Sequence, residues 1–434
     1  MAREMKDSGI EWIGEIPREW ETARLKALFS FGKGLPITKE NLCEFGVPVI
    51  SYGQIHSKTN TGVKVQKDLI RYVSESYLET NEQSLVNESD FIFADTSEDI
   101  DGCGNCVYVD SQSVLFAGYH TIILHSRKNR NNRYLAYLFK TDNWRSQIRG
   151  RVSGVKVFSI SRKILSDAAV LLPPVSEQQT IADFLDTQCT HIDSVIEKTR
   201  AAIEAYKRLK QSVITQAVTK GICPNREMKD SGIEWIGEIP KEWVCVKFKY
   251  IAQVRANLVH PDDYGNYPQV SPENIEKGTG KILPCKTVRE TGVISDNHLF
   301  YKGQILYSKI RPILNKVTIA PFDGLCSADM YPIETDINKY YLLYALLSDS
   351  YLVNIRLITE DRVKMPKINQ EELSNIFFAV PDKNEQSEIV AYLNEKTAAI
   401  DSLIQKKEQL ISELEAYKKS LIYEYVTGKK EVLV

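Results

Sequence analysis

The sequence predicts an α+β protein. Two α/β blocks are joined by two long helices that form an intramolecular antiparallel coiled coil, giving pseudo-two-fold symmetry. Three observations predict this. The segment Met5–Trp20, MKDSGIEWIGEIPREW, recurs as Met228–Trp243, with Lys241 in place of Arg18. Its register is 223 residues (228 less 5). A second echo sets Pro173-Pro174-Val175-Ser176-Glu177-Gln178 against Pro381-Asp382-Lys383-Asn384-Glu385-Gln386 at 208 residues (381 less 173), and it holds through Val426-Thr427. Third, each echo opens a segment of helical periodicity. A fixed internal repeat decides how often one unit is used, so each half is an opener, a middle block and a closing helix. Matched ends around unmatched middles suggest one frame carrying two working surfaces. The expected boundaries are 1–172 (first block with its opener), 173–222 (first long helix), 223–380 (second block, opener at 228–243) and 381–434 (second long helix).

Taken in order, Ser8–Trp20 reads as an irregular lead-in that Trp12, Ile13, Ile16 and Trp20 pack onto a body. Strands are predicted at Glu21–Lys26, Val47–Tyr52, Asp90–Phe93, Val107–Val109, Ser113–Phe116, Tyr119–Leu124 and Ala168–Leu172. A helix is predicted over Arg133–Ile148. The second block has strands at Val244–Phe248, Ile305–Ile310 and Val317–Ala320, and a helix over Asn338–Ile355.

Ser176–Val218 contains neither proline nor glycine. Ser176 with Gln179 suggests a capping box, and Gly221 and Pro224 stop the helix. Leu185, Ile192, Thr199, Tyr206 and Val213 recur every seven residues. Leu393, Ile400, Lys407, Leu414 and Leu421 do the same, with Ile389, Leu403 and Leu410 between them. Each apolar seam needs a partner. The first helix opens acidic (Glu177, Asp183, Asp186, Asp193) and closes basic (Lys207, Arg208, Lys210), an order that suits its dipole. Antiparallel pairing sets its acidic start beside Lys418 and Lys419. The opener of the first half should then meet the end of the second helix.

The 434 residues allow two to four domains with real cores. Apolar content of 43% and charged content of 26% are ordinary for a globular chain. No apolar run approaches a membrane span, MAREMKDSG lacks a signal-peptide core, and the eight cysteines show no disulfide framework. These point to a reducing cytoplasm. The net charge of −2 neither announces nor excludes a nucleic-acid partner, because binding depends on where charge lies.

Catalytic motifs are absent. There is no GxxxxGK[ST] loop, no HExxH and no Asn/Asp-Pro-Pro-aromatic motif of an adenine methyltransferase. Gly32-Lys33-Gly34, a lone GxG, reads as a loop. Cys103 and Cys106 form a single CxxC without a second pair, read as thiols in a turn. Glu98, Asp99 and Asp101 read as a solvated loop. We expect no catalytic centre, no metal site and no cofactor on this chain.

The middle blocks do offer local positive charge. Asn143–Leu165 holds Arg145, Arg149, Arg151, Lys156, Arg162 and Lys163 with no acid, and Lys302–Phe322 holds Lys302, Lys309, Arg311 and Lys316 with no acid. Each alone fits an ordinary solvated face. Two such stretches on two blocks fit a two-part DNA site, with cations on phosphates and Arg, Lys, Gln or Asn at base edges. The candidate DNA-binding residues are Lys33, Gln54, Lys58, Arg145, Arg149, Arg151, Lys156 and Lys163 in the first block. In the second they are Lys309, Arg311, Asn315, Lys316, Arg362, Lys364 and Lys367.

The doubled opener MKDSGIEWIGEIPxxW, the LPPxxEQ-type start of each long helix and the block Gly303–Pro312 (GQILYSKIRP) together resemble the specificity subunits of Type I restriction–modification enzymes. The resemblance covers essentially the whole chain. It implies two target-recognition domains reading a split sequence in double-stranded DNA, and helices that space them and dock two modification (methyltransferase) subunits. Restriction subunits that translocate and cleave DNA join that core. S-adenosylmethionine, ATP and Mg2+ belong to the partners, and adenine N6 is the usual methylated position. Asp382 departs from the pattern, standing where the first copy has Pro174; no functional consequence is expected. The competing readings are a coiled-coil scaffold with protein-binding end domains and a fused nuclease or methyltransferase with an unfamiliar site.

Overall fold

Short runs of β-branched and aromatic residues between turn residues build the sheets. The computed structural model describes residues 3–127, 132–362 and 364–432. The chain divides into two compact units, Met1–Glu197 with Leu410–Val434, and Lys198–Gln409. In the first unit an antiparallel sheet runs in the order Cys106–Tyr108, Phe91–Ala94, Thr121–Ser126, Phe29–Lys33. Its second unit counterpart runs Val317–Ile319, Ile305–Ser308, Met330–Thr335, Ala252–Val254. Both central strands, Phe91–Ala94 and Ile305–Ser308, are buried throughout, as strands covered on both faces must be. A further sheet in each unit contains one parallel pair: Val47–Ile50 beside Leu115–Ala117, and Gln269–Val270 beside Gly324–Cys326. The middle blocks, unmatched in sequence, therefore share a topology.

Several expectations are corrected. The opener is a hairpin, Met5–Asp7 against Glu15–Pro17, and Met228–Asp230 against Glu238–Pro240 repeats it. The helix expected over 133–148 is two, Arg133–Phe139 and Asp142–Arg149, because Thr141 breaks the run and caps the second by accepting from the Trp144 N–H. Lys339–Leu347 and Asp349–Thr359 are divided likewise by Ser348. The first long helix spans Val175–Lys220, so Ser176 lies in its first turn and is not its cap. The second spans Lys383–Val426, and Asp382 is its N-cap: one carboxylate oxygen accepts from the N–H groups of Asn384 (2.8 Å) and Glu385 (3.0 Å). The departure from proline at Asp382 thus has a structural role.

Both long helices contribute to both units. In the first unit, Phe184 stacks near Tyr425 (4.5 Å) and Asp193 accepts from Lys418 (2.5 and 2.6 Å). One residue number rises as its partner falls, so the segments are antiparallel. In the second unit Tyr206 meets Lys407 (5.8 Å) and Lys210 pairs with Asp401 (2.8 Å), again antiparallel. The seam on the second helix differs from the expectation in one respect. Leu403 and Leu410 are exposed, because the neighbouring Ile404 and Ile411 occupy the partly buried face.

The repeated sequence converges on a repeated anchor. In the first unit the Arg3 guanidinium grips the Glu177 carboxylate with two bonds (2.6 and 2.8 Å), and the Trp20 indole N–H donates to the same carboxylate (3.0 Å). In the second, Arg226 grips Glu385, whose carboxylate also accepts from the Trp243 indole (2.9 Å). Trp20 and Trp243 are fully buried. The carboxylate raises the pKa of each arginine above its ordinary value, chiefly through the hydrogen bond. Each unit also receives the end of a long helix. The buried Tyr134 hydroxyl donates to the Val426 carbonyl (2.7 Å), and the Tyr341 hydroxyl reaches the Val218 carbonyl (3.2 Å). Pro17 and Trp20 pack so closely on Gly428 that an added Cβ would lie 2.5 Å from Pro17 Cδ. The first opener does meet the end of the second helix.

Removing the Glu385 carboxylate leaves the buried Trp243 indole N–H unpaired and the Arg226 guanidinium with only the exposed Glu242 (3.1 Å), a loss of about 2 kcal/mol. We expect Glu385→Ala to speed amide hydrogen exchange in the 228–240 hairpin by roughly 30-fold. The 5–17 hairpin should be unaffected. Equal acceleration in both would show that the anchor is not local.

Candidate nucleic-acid interface

In each unit the buried central strand delivers the chain to a surface where two loops meet. In the first unit Phe91–Ala94 leads to Asp95, whose carbonyl accepts from Ile160 N–H (2.7 Å), and Thr96–Ser97 pairs with Phe158–Ser159. In the second, Ile305–Ser308 leads to Lys309, whose carbonyl accepts from Ile368 N–H (2.9 Å), and Arg311 N–H bonds the Pro366 carbonyl (2.8 Å). The loop after the second short helix thus pairs with the loop after the central strand in both units.

The first pair of loops is tightly shaped. Gly154 has φ 154°, and a Cβ there would fall 2.0 Å from the Val157 carbonyl oxygen. The loop raises Val155 to 96% exposure and leaves Arg151 and Lys156 exposed. Beside it a cleft of about 540 Å³ is lined by Tyr52, His56, Asp99, Asn105 and Arg145 among others. His56 Nε2–H donates to the Thr96 carbonyl (2.8 Å), and the Asn105 amide donates to its Nδ1 (3.1 Å), which selects one neutral tautomer. In the second pair Arg311, Asn315 and Met365 all have φ near +45° (44°, 46° and 45°), a costly conformation for side chains other than glycine. Such strain concentrates at functional sites.

Not every candidate side chain is available. Lys33, Lys58, Arg151, Lys156, Lys163, Arg311, Lys364 and Lys367 are exposed. Lys367 also pairs with Asp329 (3.0 Å) and Arg362 with Glu372. Arg149 pairs with Asp142 (3.1 Å), and Arg145 donates to the Phe139 carbonyl while burial lowers its pKa. Lys309 lies over the Tyr331 ring (5.3 Å), and Lys316 donates to the Pro272 carbonyl (2.7 Å). Gln54 serves the capping box of its own short helix by accepting from Ser51 N–H. Asn315 is buried and its amide donates to the Leu346 carbonyl (2.9 Å). Gln54 and Asn315 are therefore structural in this conformation: Gln54 closes its own turn, and Asn315 ties its loop to the end of the Lys339–Leu347 helix. The structure brings Lys309, Arg311, Lys364 and Lys367 together, and Arg151 and Lys156 onto one loop. Asp95, His120 and Asp329, which border these loops, were not legible as site residues, since no local motif marks them.

Among the described residues no group of three or more His, Cys, Asp or Glu is placed to hold a metal. Cys103 and Cys106 are buried, and burial pushes the Cys106 thiol up to about 12, far from a reactive thiolate. Asp99 accepts from Gly102 N–H (2.6 Å) and folds its own loop. Among the described residues no helix is long and apolar enough to cross a membrane.

Comparison with known proteins decides the family. The model of the Type I restriction modification DNA specificity domain matches residues 17–205 and again 240–415. The chain belongs to this family. Its members are the DNA-recognition component of these systems and not their catalysts. A relative, the Type I restriction enzyme EcoDI specificity subunit of Escherichia coli, is 30% identical over 79% of this chain and 83% of its own length. The putative MjaX specificity subunit of Methanocaldococcus jannaschii is 26% identical over 97% of this chain and 96% of its own. Two solved structures share the fold at 14% identity. One, from a study of complex assembly and conformational transition in the type I R-M system, has TM-score 0.71 and covers 96% of this chain and 99% of its own. The other, the HsdS subunit from Thermoanaerobacter tengcongensis, has TM-score 0.54 over 96% and 98%.

Exposed cations on these loops should bind phosphates whatever the sequence. Arg151→Ala and Lys364→Ala should each lower the DNA affinity of the assembled methyltransferase and reduce the slope of log affinity against log salt by about 1. Fluorescence anisotropy across a salt series measures both. An unchanged slope for both variants would place the phosphate contacts elsewhere.

Proposed function

We propose that each unit reads one half of a bipartite sequence in double-stranded DNA and that the two shared helices set the spacer between the halves. The observation that carries this reading is the doubled topology. Two units of one architecture, closed by the same anchors and sharing the same two helices, differ at the loops beyond their central strands. A repeated frame with differing tips suits a target of two unlike parts. The candidate cations of each unit serve their own half-site.

In this reading the helices also dock two modification subunits, which hold S-adenosylmethionine and methylate adenine N6. Restriction subunits bring ATP, Mg2+ and cleavage. The chain itself binds no cofactor and acts in the cytoplasm. The names of the relatives, Type I specificity subunits, support this assembly.

Spacer length should follow helix length. Four residues inserted between Ala202 and Ile203, with four more between Glu408 and Gln409, add one turn, about 6 Å, to the helix pair. Single-molecule methylome sequencing should then show both half-sequences retained at an altered separation. An unchanged spacer would refute the role given to the helices.

A further inference from the structure

Two positions in the shared frame are filled with opposite chemistry. The residue after each central strand makes the same two backbone bonds. Asp95 N–H donates to the His120 carbonyl (3.1 Å) and its own carbonyl accepts from Ile160. Lys309 N–H donates to the Asp329 carbonyl (3.0 Å) and its carbonyl accepts from Ile368. Asp95 and Lys309 are therefore equivalent, as are His120 and Asp329. At this slot the first unit carries an acid beside a histidine, and the second carries a lysine beside an acid.

The side chains are held in place. In the first unit, Asp95 Oδ1 accepts from the Thr96 hydroxyl (2.7 Å) and lies 3.3 Å from His120 Nδ1, while Oδ2 has no hydrogen bond among the described residues. His120 is exposed at φ 54°, edge-on to Tyr52 (5.3 Å). In the second unit Asp329 is engaged by Lys367 (3.0 Å), while Lys309 lies over the Tyr331 ring with no ion pair among the described residues. Arg311 is exposed next to it, its backbone fixed by the bond to Pro366. A carboxylate near DNA is repelled by phosphates unless it accepts from a base. In the major groove the amino groups of cytosine N4 and adenine N6 are the donors it can meet. Lysine and arginine meet the paired acceptors O6 and N7 of guanine.

We propose that this slot is a specificity-determining position: Asp95 accepts from an exocyclic amino group of cytosine or adenine in one half-site, and Lys309, with Arg311, donates to guanine in the other. The assignment rests on the bipartite reading above and adds the base class.

The test is methylome sequencing of a host carrying the full chain with its modification subunit, as wild type, Asp95→Ala, Lys309→Gln and Lys309→Arg. The expected result is a two-part wild-type motif with Lys309→Gln accepting other bases at one guanine position of a single half, discrimination there falling about tenfold or more. Lys309→Arg keeps that guanine, and Asp95→Ala relaxes one adenine or cytosine position in the opposite half only. A two-part motif left intact by Lys309→Gln and Asp95→Ala overturns the assignment while sparing the bipartite reading. So does uniform loss of methylation by a Lys309→Gln complex that still assembles, since that marks a phosphate contact. If Lys309→Gln does not assemble, the Asp95→Ala motif decides alone. A single contiguous wild-type motif removes both.

Discussion

The Glu177 and Glu385 carboxylates are the points on which the architecture turns. Each collects a guanidinium and a buried indole from the repeated opener and fixes them to the first turn of a long helix. The arginine and the tryptophan follow the 223-residue register, whereas the glutamate follows the 208-residue one. The anchor is therefore where the two registers of the chain are reconciled. A charge-assisted bidentate bond is directional as well as strong, so it holds each opener against its helix in one geometry. The Val426 and Val218 carbonyls, taken by Tyr134 and Tyr341, hold the opposite helix ends in the same cores.

From that constraint the rest follows. With both helices shared, neither unit has a complete core without residues from the end of a helix that starts in the other. The first core includes Leu421, Ile422 and Val426, and the second includes Ile214 and Val218. The frame is thereby common to both halves, and the tips of the central strands are where the halves differ. Charge of opposite sign at Asp95 and Lys309 is one consequence.

Much of this was legible in the sequence. The near-identical repeat and the seven-residue apolar spacing reveal two frames and two long helices, and the acidic-to-basic order of the first helix points to the pairing seen at Asp193 and Lys418. The common topology of the middle blocks was not legible, because strands of two to six residues carry too little periodicity and the two blocks share no residue pattern. The site was legible only in part. Arg151 and Arg311 stand out because each lies in an acid-free stretch, and the structure leaves both exposed. Whether Asn315 faces solvent depends on its bond to Leu346 in a distant helix, which no local pattern records, whereas Ser51-x-x-Gln54 has the spacing of a capping box. Asp382 shows the converse: read as a departure from a proline, it is the cap of its helix.

The most direct test of the central claim, that one frame carries two independent readers, is to make the readers alike. Residues 21–172 would be replaced by residues 244–380, keeping both openers and both long helices, and the methylome of the host sequenced. The account predicts a motif in which both halves are the original second half, read on opposite strands as an inverted repeat. Retention of the original first half would contradict it.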